Sequence, residues 1–280
     1  MTAFIEKDWL LDRLNDSNVV IVDCRFQLSD PEKGKELYLK SHIKGANYLH
    51  MEDDLSGNVE KHGGRHPLPK PDDFKKILEN AGISNDNMVV AYDGGEGSFA
   101  GRLWWLLKFA GHQHVYILNG GYKEWTEANY PIDDCIPTVR NTHYEMDLQS
   151  NMLASVEDVR SAVTSGDHVI IDSREQKRYL GIEEPIDKKA GHIPTAVNYV
   201  WTDGFKDGKF KSAYEQERRF ADIDKDAKII VYCGSGITAT PNYIALKEAG
   251  YENVKLYGGS FSDWISYDEH EVETKLNNEK

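Results

Sequence analysis

Cysteine is scarce in this chain, with only Cys24, Cys135 and Cys233 among 280 residues. An odd number at such wide spacing excludes a disulfide framework and a zinc site of paired thiols, leaving reduced thiols in a reducing compartment. Long apolar runs are missing too, and none approaches the ~20 residues that cross a bilayer. The N-terminus, Met-Thr-Ala-Phe-Ile-Glu-Lys-Asp, lacks the basic-then-apolar order of a secretory signal. A cytoplasmic location without membrane association is expected. Positive charge is short as well: 33 Lys and Arg stand against 47 Asp and Glu, a formal net charge of −14. That balance argues against nucleic acid as a partner, and any anionic substrate must find a locally basic pocket. His62 and His66 have the i,i+4 spacing of a helical metal pair, but Gly63, Gly64 and Pro67 break a helix there. Neither a metal nor a cofactor is expected. Low-complexity segments are absent apart from a polar tail at 276–280, expected to fray.

What the chain does contain is written twice. Val19-Val20-Ile21-Val22-Asp23-Cys24-Arg25 is echoed about 149 positions later by Val169-Ile170-Ile171-Asp172-Ser173-Arg174. Ser41-His42-Ile43-Lys44-Gly45-Ala46-Asn47-Tyr48 returns as Gly191-His192-Ile193-Pro194-Thr195-Ala196-Val197-Asn198-Tyr199. Met88-Val89-Val90-Ala91-Tyr92-Asp93-Gly94 matches Ile229-Ile230-Val231-Tyr232-Cys233-Gly234, and Gly120-Gly121-Tyr122-Lys123-Glu124-Trp125 matches Gly259-Ser260-Phe261-Ser262-Asp263-Trp264. Four echoes in one order are a duplication, and the period is that of a domain rather than a solenoid repeat. Pro131 and Pro137 interrupt the stretch 131–152, which places the boundary near residue 145: domains 1–145 and 146–280. In each half, helix-period segments such as 8–14 and 155–163 precede short continuous β-branched runs. Ser155 with Asp158 has the form of a capping box. Strands apolar at every position are buried on both faces, so the fold class is α/β, a parallel sheet covered by helices in each half.

Cys233 closes the run Lys228-Ile229-Ile230-Val231-Tyr232 and opens the turn Gly234-Ser235-Gly236-Ile237-Thr238. Residues 239–249 then read as a helix, with Pro241 in its first turn and Gly250 ending it. A thiol at a strand-to-helix turn, facing inward-pointing N–H groups and the positive end of a helix, is stabilised as thiolate. Its plain alternative is a small core residue. A phosphatase of the Cys-x5-Arg type is excluded by Ala239, where the arginine would stand. A dithiol oxidoreductase is excluded by Gly236, where the second cysteine would stand.

Taken together, the repeated Asp-x-Arg, the His-Ile-x-x-Ala-x-Asn turn and Cys-Gly-Ser-Gly-Ile-Thr resemble the tandem-domain rhodanese family of thiosulfate and mercaptopyruvate sulfurtransferases, from about residue 4 to about residue 265. The resemblance implies two rhodanese-like α/β domains, the first lacking the catalytic cysteine; Asp93 indeed occupies the place matching Cys233. It implies a sulfurtransferase in which Cys233 takes a sulfur atom from a small-molecule donor as a persulfide. A thiol, cyanide or a thioredoxin-like protein then accepts it. The neutral Gly-Ser-Gly-Ile-Thr loop is similar to that of the mercaptopyruvate enzymes, whereas thiosulfate enzymes carry cations there. Thiosulfate is the alternative donor, and a non-enzymatic sulfur carrier is the alternative of another class.

By the same resemblance, Arg178 holds the donor's anionic group, as an arginine fork suits. Mercaptopyruvate enzymes often carry a second arginine nine residues on. Here that position is Asp187, and Lys188 beside it is a secondary candidate. Ser235 is expected to bond the donor or move a proton. Gly234, Gly236, Ile237 and Thr238 supply backbone donors to an anion-binding nest, with Thr238 equally readable as a helix cap. His42 is the other secondary candidate, although its echo in His192 speaks for a structural role. Arg25 and Arg174, present in both halves, are read as structural. A monomer is expected, because duplication already supplies a pseudo-dimer.

Overall fold

The computed structural model describes residues 2–274, so the polar tail at 276–280 lies outside the described residues. The chain forms two compact units. The first takes the chain up to Gly57, Pro69–Gln149 and Lys206–Phe210; the second takes Asn58–Leu68, Ser150–Phe205 and the chain from Lys211 onward. The two short stretches, 58–68 and 206–210, thus each lie in the unit of the opposite half.

Both units rest on a five-stranded, wholly parallel sheet. The first contains β1 (Phe4–Ile5), β2 (Val19–Asp23), β3 (Asn47–Tyr48), β4 (Met88–Tyr92) and β5 (Val115–Leu118), laid out as β1-β5-β4-β2-β3. The second contains β6 (Leu153–Ala154), β7 (His168–Asp172), β8 (Val197–Asn198), β9 (Lys228–Tyr232) and β10 (Val254–Tyr257), laid out as β6-β10-β9-β7-β8, the same topology. In the central strand β9, Val231 pairs with Ile171 on one side and Leu256 on the other. Four consecutive residues of β9 and four of β4 are buried, which requires cover on both faces and explains the unbroken apolar runs. Each fully buried aliphatic side chain there contributes roughly 1.5–3 kcal/mol.

Helix Val156–Ser165 begins at the capping box, with the Asp158 N–H donating to Ser155 Oγ and the Ser155 N–H to the Asp158 carboxylate. Helix Thr240–Glu248 has Pro241 in its first turn and gives way to Gly250 at φ +88°, a conformation that glycine tolerates.

The duplicated Asp-x-Arg does the same work in both units. Arg25 bonds Asp23 through Nε and Nη2 and donates to the Ser41 carbonyl; Arg174 bonds Asp172 likewise and donates to the Gly191 carbonyl. Each arginine thereby ties a strand end to the residue preceding the repeated histidine. The tyrosine closing each central strand joins in: Tyr92 donates to Asp23 at 2.7 Å and accepts from the Ile43 N–H, and Tyr232 accepts from the Ile193 N–H. Burial pushes both phenols well above their ordinary value, so each holds its proton as a donor.

Candidate active site

Strand β9 delivers Cys233 into the loop at its C-terminal end, with 1% of its surface exposed. The Gly236 N–H donates to the Cys233 Sγ at 3.2 Å. Gly236 has φ +79°, the left-handed conformation that turns this amide back on the sulfur and that a side chain would strain. From the next strand's exit, Ser260 Oγ accepts the Cys233 N–H at 3.1 Å and lies 4.0 Å from the sulfur. The Phe261 and Ser262 N–H groups donate to the carbonyls of Cys233 and Gly234, pinning the loop from the opposite side.

Two guanidiniums overhang the loop. A Cβ placed on Gly234 would stand 2.9 Å from Arg65 Nη2 and 3.6 Å from both Arg178 terminal nitrogens, so glycine permits their approach. Burial pulls the Arg65 guanidinium below its ordinary value; among neighbouring charges, Cys233 acts most strongly to restore it. Arg178 is gripped by Glu184 through Nε and Nη2, and Glu184 also accepts from Arg174 at 3.2 Å. Asp187 spans the pair: its Oδ2 accepts from Arg178 Nη2 at 2.8 Å and its Oδ1 from Arg65 Nη1.

Beside this cluster Ser235 Oγ and His66 Nδ1 are 2.8 Å apart, both buried. A buried hydroxyl hydrogen-bonded to an imidazole can relay a proton to a leaving group formed at the sulfur. Arg65 and His66 come from the strap 62–66. The Gly63 N–H donates to Asp263, the Arg65 N–H to Ser262 Oγ at 3.1 Å, and the His62 ring bonds Ser266 and stacks on Tyr267. Gly64, at φ +82°, lies so close to the Gly259 carbonyl that a Cβ would come within 2.3 Å of it. The strap is irregular, as its glycines and Pro67 dictate, and its two histidines diverge to different serines.

Cys233, Gly234, Ser235, Gly236 and Arg178 are therefore brought together. Ile237 is buried, and its carbonyl accepts from Thr240 Oγ1. Thr238 does not cap the helix: the N-cap is Ala239, and no side chain fills that role. Lys188 is exposed and lines a cavity of about 530 Å³ shared with Arg65, Asp187, Lys189, Ser262 and Ile265. His42 is buried in the first unit, stacked on Tyr38 with Nδ1 at 2.8 Å from the Tyr38 carbonyl; His192 is stacked on Tyr179 in the same manner. Their shared pattern is structural. Arg65 and His66 were not anticipated as site residues, and the signal that pointed to them is the glycine pair immediately before.

A family model for the rhodanese-like domain matches residues 6–128 and again 155–267. The chain belongs to the rhodanese family. Among curated members of that family, the probable 3-mercaptopyruvate sulfurtransferase of Pseudomonas aeruginosa is 36% identical over 263 residues, covering 92% of this chain and 93% of the relative. The thiosulfate sulfurtransferase of Mus musculus is 30% identical, covering 94% and 92%. The crystal structure of the rhodanese SseA from Escherichia coli superposes with a TM-score of 0.84 at 30% identity, covering 94% of this chain and all of that one. The two rhodanese folds are thus present in full, with parallel sheets as the sequence led us to expect. Among the described residues no helix is long and apolar enough to cross a membrane.

Proposed function

We propose that this rhodanese is a cytoplasmic, monomeric sulfurtransferase that moves sulfur from 3-mercaptopyruvate to a small thiol, cyanide or a thioredoxin-like thiol. The observation that carries the reading is the Cys233 sulfur receiving an amide hydrogen bond in a loop overhung by Arg65 and Arg178. In the first step the Cys233 thiolate attacks the donor sulfur. An S–S bond forms, the C–S bond breaks, and pyruvate leaves as its enolate, which takes up a proton by way of Ser235 and His66. In the second step an acceptor thiolate attacks the outer sulfur and returns Cys233 as thiolate. Arg178 and Arg65 bind the donor's carboxylate, and the amides of Gly234, Gly236, Ile237 and Thr238 line the nest around the sulfur.

Thiosulfate is the second reading, favoured by the positive charge that Arg65 brings to an otherwise neutral loop. It expels sulfite, a leaving group that needs no proton, so Ser235 and His66 matter less to it. The chemistry is tested by mass: after exposure to donor and its removal, Cys233 is expected to carry an adduct of roughly 32 Da that cyanide discharges. No adduct with either donor would overturn the sulfurtransferase reading. Donor choice is tested by steady-state kinetics, with mercaptopyruvate expected to give the larger kcat/KM and Ser235→Lys to shift the ratio toward thiosulfate. Equal or better thiosulfate turnover by the unaltered protein would reverse the donor assignment.

A further inference from the structure

The guanidiniums assigned to the donor's anion already hold an anion, and it belongs to the chain. The Asp187 side chain is 3% exposed, and its two carboxylate oxygens are divided between Arg65 and Arg178. A carboxylate so placed occupies the nitrogens that a donor would use. We infer that Asp187 is an internal competitor for the anion site, displaced by the donor, and that it sets the site's preference for singly over doubly charged donors. The inference rests on the proposed function for the identity of the donor, but the anion site itself does not depend on turnover.

The loop that carries Asp187 is built to deliver a carboxylate and to give it up. Glu184 accepts the Ile186 and Asp187 N–H groups at 3.1 and 2.9 Å, curling residues 184–187 into a compact turn anchored on Arg174 and Arg178. The rest of the loop packs little: Ile182 and Ile186 are 61% and 50% exposed, and no helix or strand runs through 183–189. Rotation of one side chain, with a small shift of an irregular segment, would release Arg65 Nη1 and end the Asp187 share of Arg178 Nη2, while Glu184 keeps Arg178 in place. Such a movement opens toward the cavity that Asp187 lines.

Charge decides what can replace it. In the cluster Arg65, Arg174 and Arg178 face Asp172, Glu184 and Asp187, a formally neutral assembly. Exchanging the Asp187 carboxylate for a carboxylate on the donor leaves that balance intact. Exchanging it for a dianion adds one negative charge beside a thiolate. Neutralising Asp187 adds one net positive charge, and a dianion gains twice as much from it as a monoanion does. A tenfold gain for the first therefore corresponds to about threefold for the second.

The test is protection of Cys233 against alkylation by iodoacetamide, using sulfate as unreactive dianion and pyruvate as unreactive monoanion. In Asp187→Asn the half-protecting concentration is expected to fall about tenfold for sulfate and about threefold for pyruvate. Asp187→Glu, which keeps the charge, is expected to stay near the original values. Asp187→Ser removes the charge with a smaller side chain and serves if the asparagine variant folds poorly. With active protein, the KM for thiosulfate should fall more than that for mercaptopyruvate while kcat changes little. Unchanged protection, or equal changes for the two anions, overturns the inference even if persulfide forms normally. Shifted protection without any persulfide would instead sustain the anion site and overturn the sulfurtransferase reading.

Discussion

At the end of β4 stands Asp93, and at the matching end of β9 stands Cys233; the two loops that follow share a design and differ in what they hold. Asp93 collects four amides of its own loop, from Gly95, Gly97, Phe99 and Ala100, at 2.9 to 3.2 Å. Cys233 takes the Gly236 amide at 3.2 Å. Both loops turn backbone amides on the residue that closes the central strand, a carboxylate in one and a sulfur in the other. What separates them lies outside the cradle. Arg65, His66 and Arg178 gather around the second loop, whereas Leu37, which precedes the His42-stacked Tyr38 as Arg178 precedes the His192-stacked Tyr179, is the first-half counterpart of Arg178. The cradle is common to both units, and on the proposed function donor recognition and proton delivery would fall to side chains that only the second unit gathers.

The comparison breaks most sharply at the nucleophile. Cys233→Ser is expected to remove the adduct and lower sulfur transfer on the order of 10⁴-fold or more. Adding Asp93→Cys to that variant should place a second thiol in a cradle, alkylated readily by iodoacetamide yet unable to turn over either donor. Donor turnover by that double variant would mean the cradle suffices and the arginines do not matter.

A smaller effect is expected from the side chains around the second loop. Arg65→Ala should lower kcat/KM for both donors by about 10- to 100-fold, the worth of charge-assisted hydrogen bonds to an anion. His66→Gln should reduce mercaptopyruvate turnover by about 100-fold or more and thiosulfate turnover much less, since only the enolate needs a proton. Equal losses with the two donors would assign His66 to shape rather than proton transfer.

The smallest effect sharpens the first loop. Burial, and then the charge of Asp93, push Glu96 up to about 8 from the ordinary 4.5. Between those values the folded chain keeps a proton that the unfolded chain has released, so stability falls as pH rises through that window. Glu96→Gln abolishes that loss. Its melting temperature should match the original at pH 4 and exceed it at pH 9, a rise equivalent to on the order of 2 kcal/mol of stability. Parallel melting curves for the two proteins from pH 4 to 9 would remove Glu96 from this account.

Much of this was legible beforehand because it is local. Continuous β-branched runs gave the strands, Ser155 with Asp158 gave a helix start, and the echo of one half in the other gave the parallel architecture twice. Cys233 was legible because its neighbours on both sides are contiguous in sequence. Arg65 and His66 were not. Their partners lie far along the chain, with His66 and Ser235 separated by 169 positions, and no periodicity marks an irregular strap. The i,i+4 histidines invited a metal reading that the glycines dismissed, and the same glycines bring the strap against Gly259. Asp187 read as a departure from the mercaptopyruvate pattern; only geometry shows its carboxylate lodged between the arginines.

The stretch 58–68 that carries the strap also bears on how such a chain could evolve. Once the first half lent its arginine and histidine to the second unit, the two copies ceased to be interchangeable. A later fission of the gene near its midpoint would leave Cys233 and Arg178 on one product and Arg65 and His66 on the other. The first half is thereby bound to the second by the eleven residues it contributes elsewhere, Asn58–Leu68, as much as by its place in the gene.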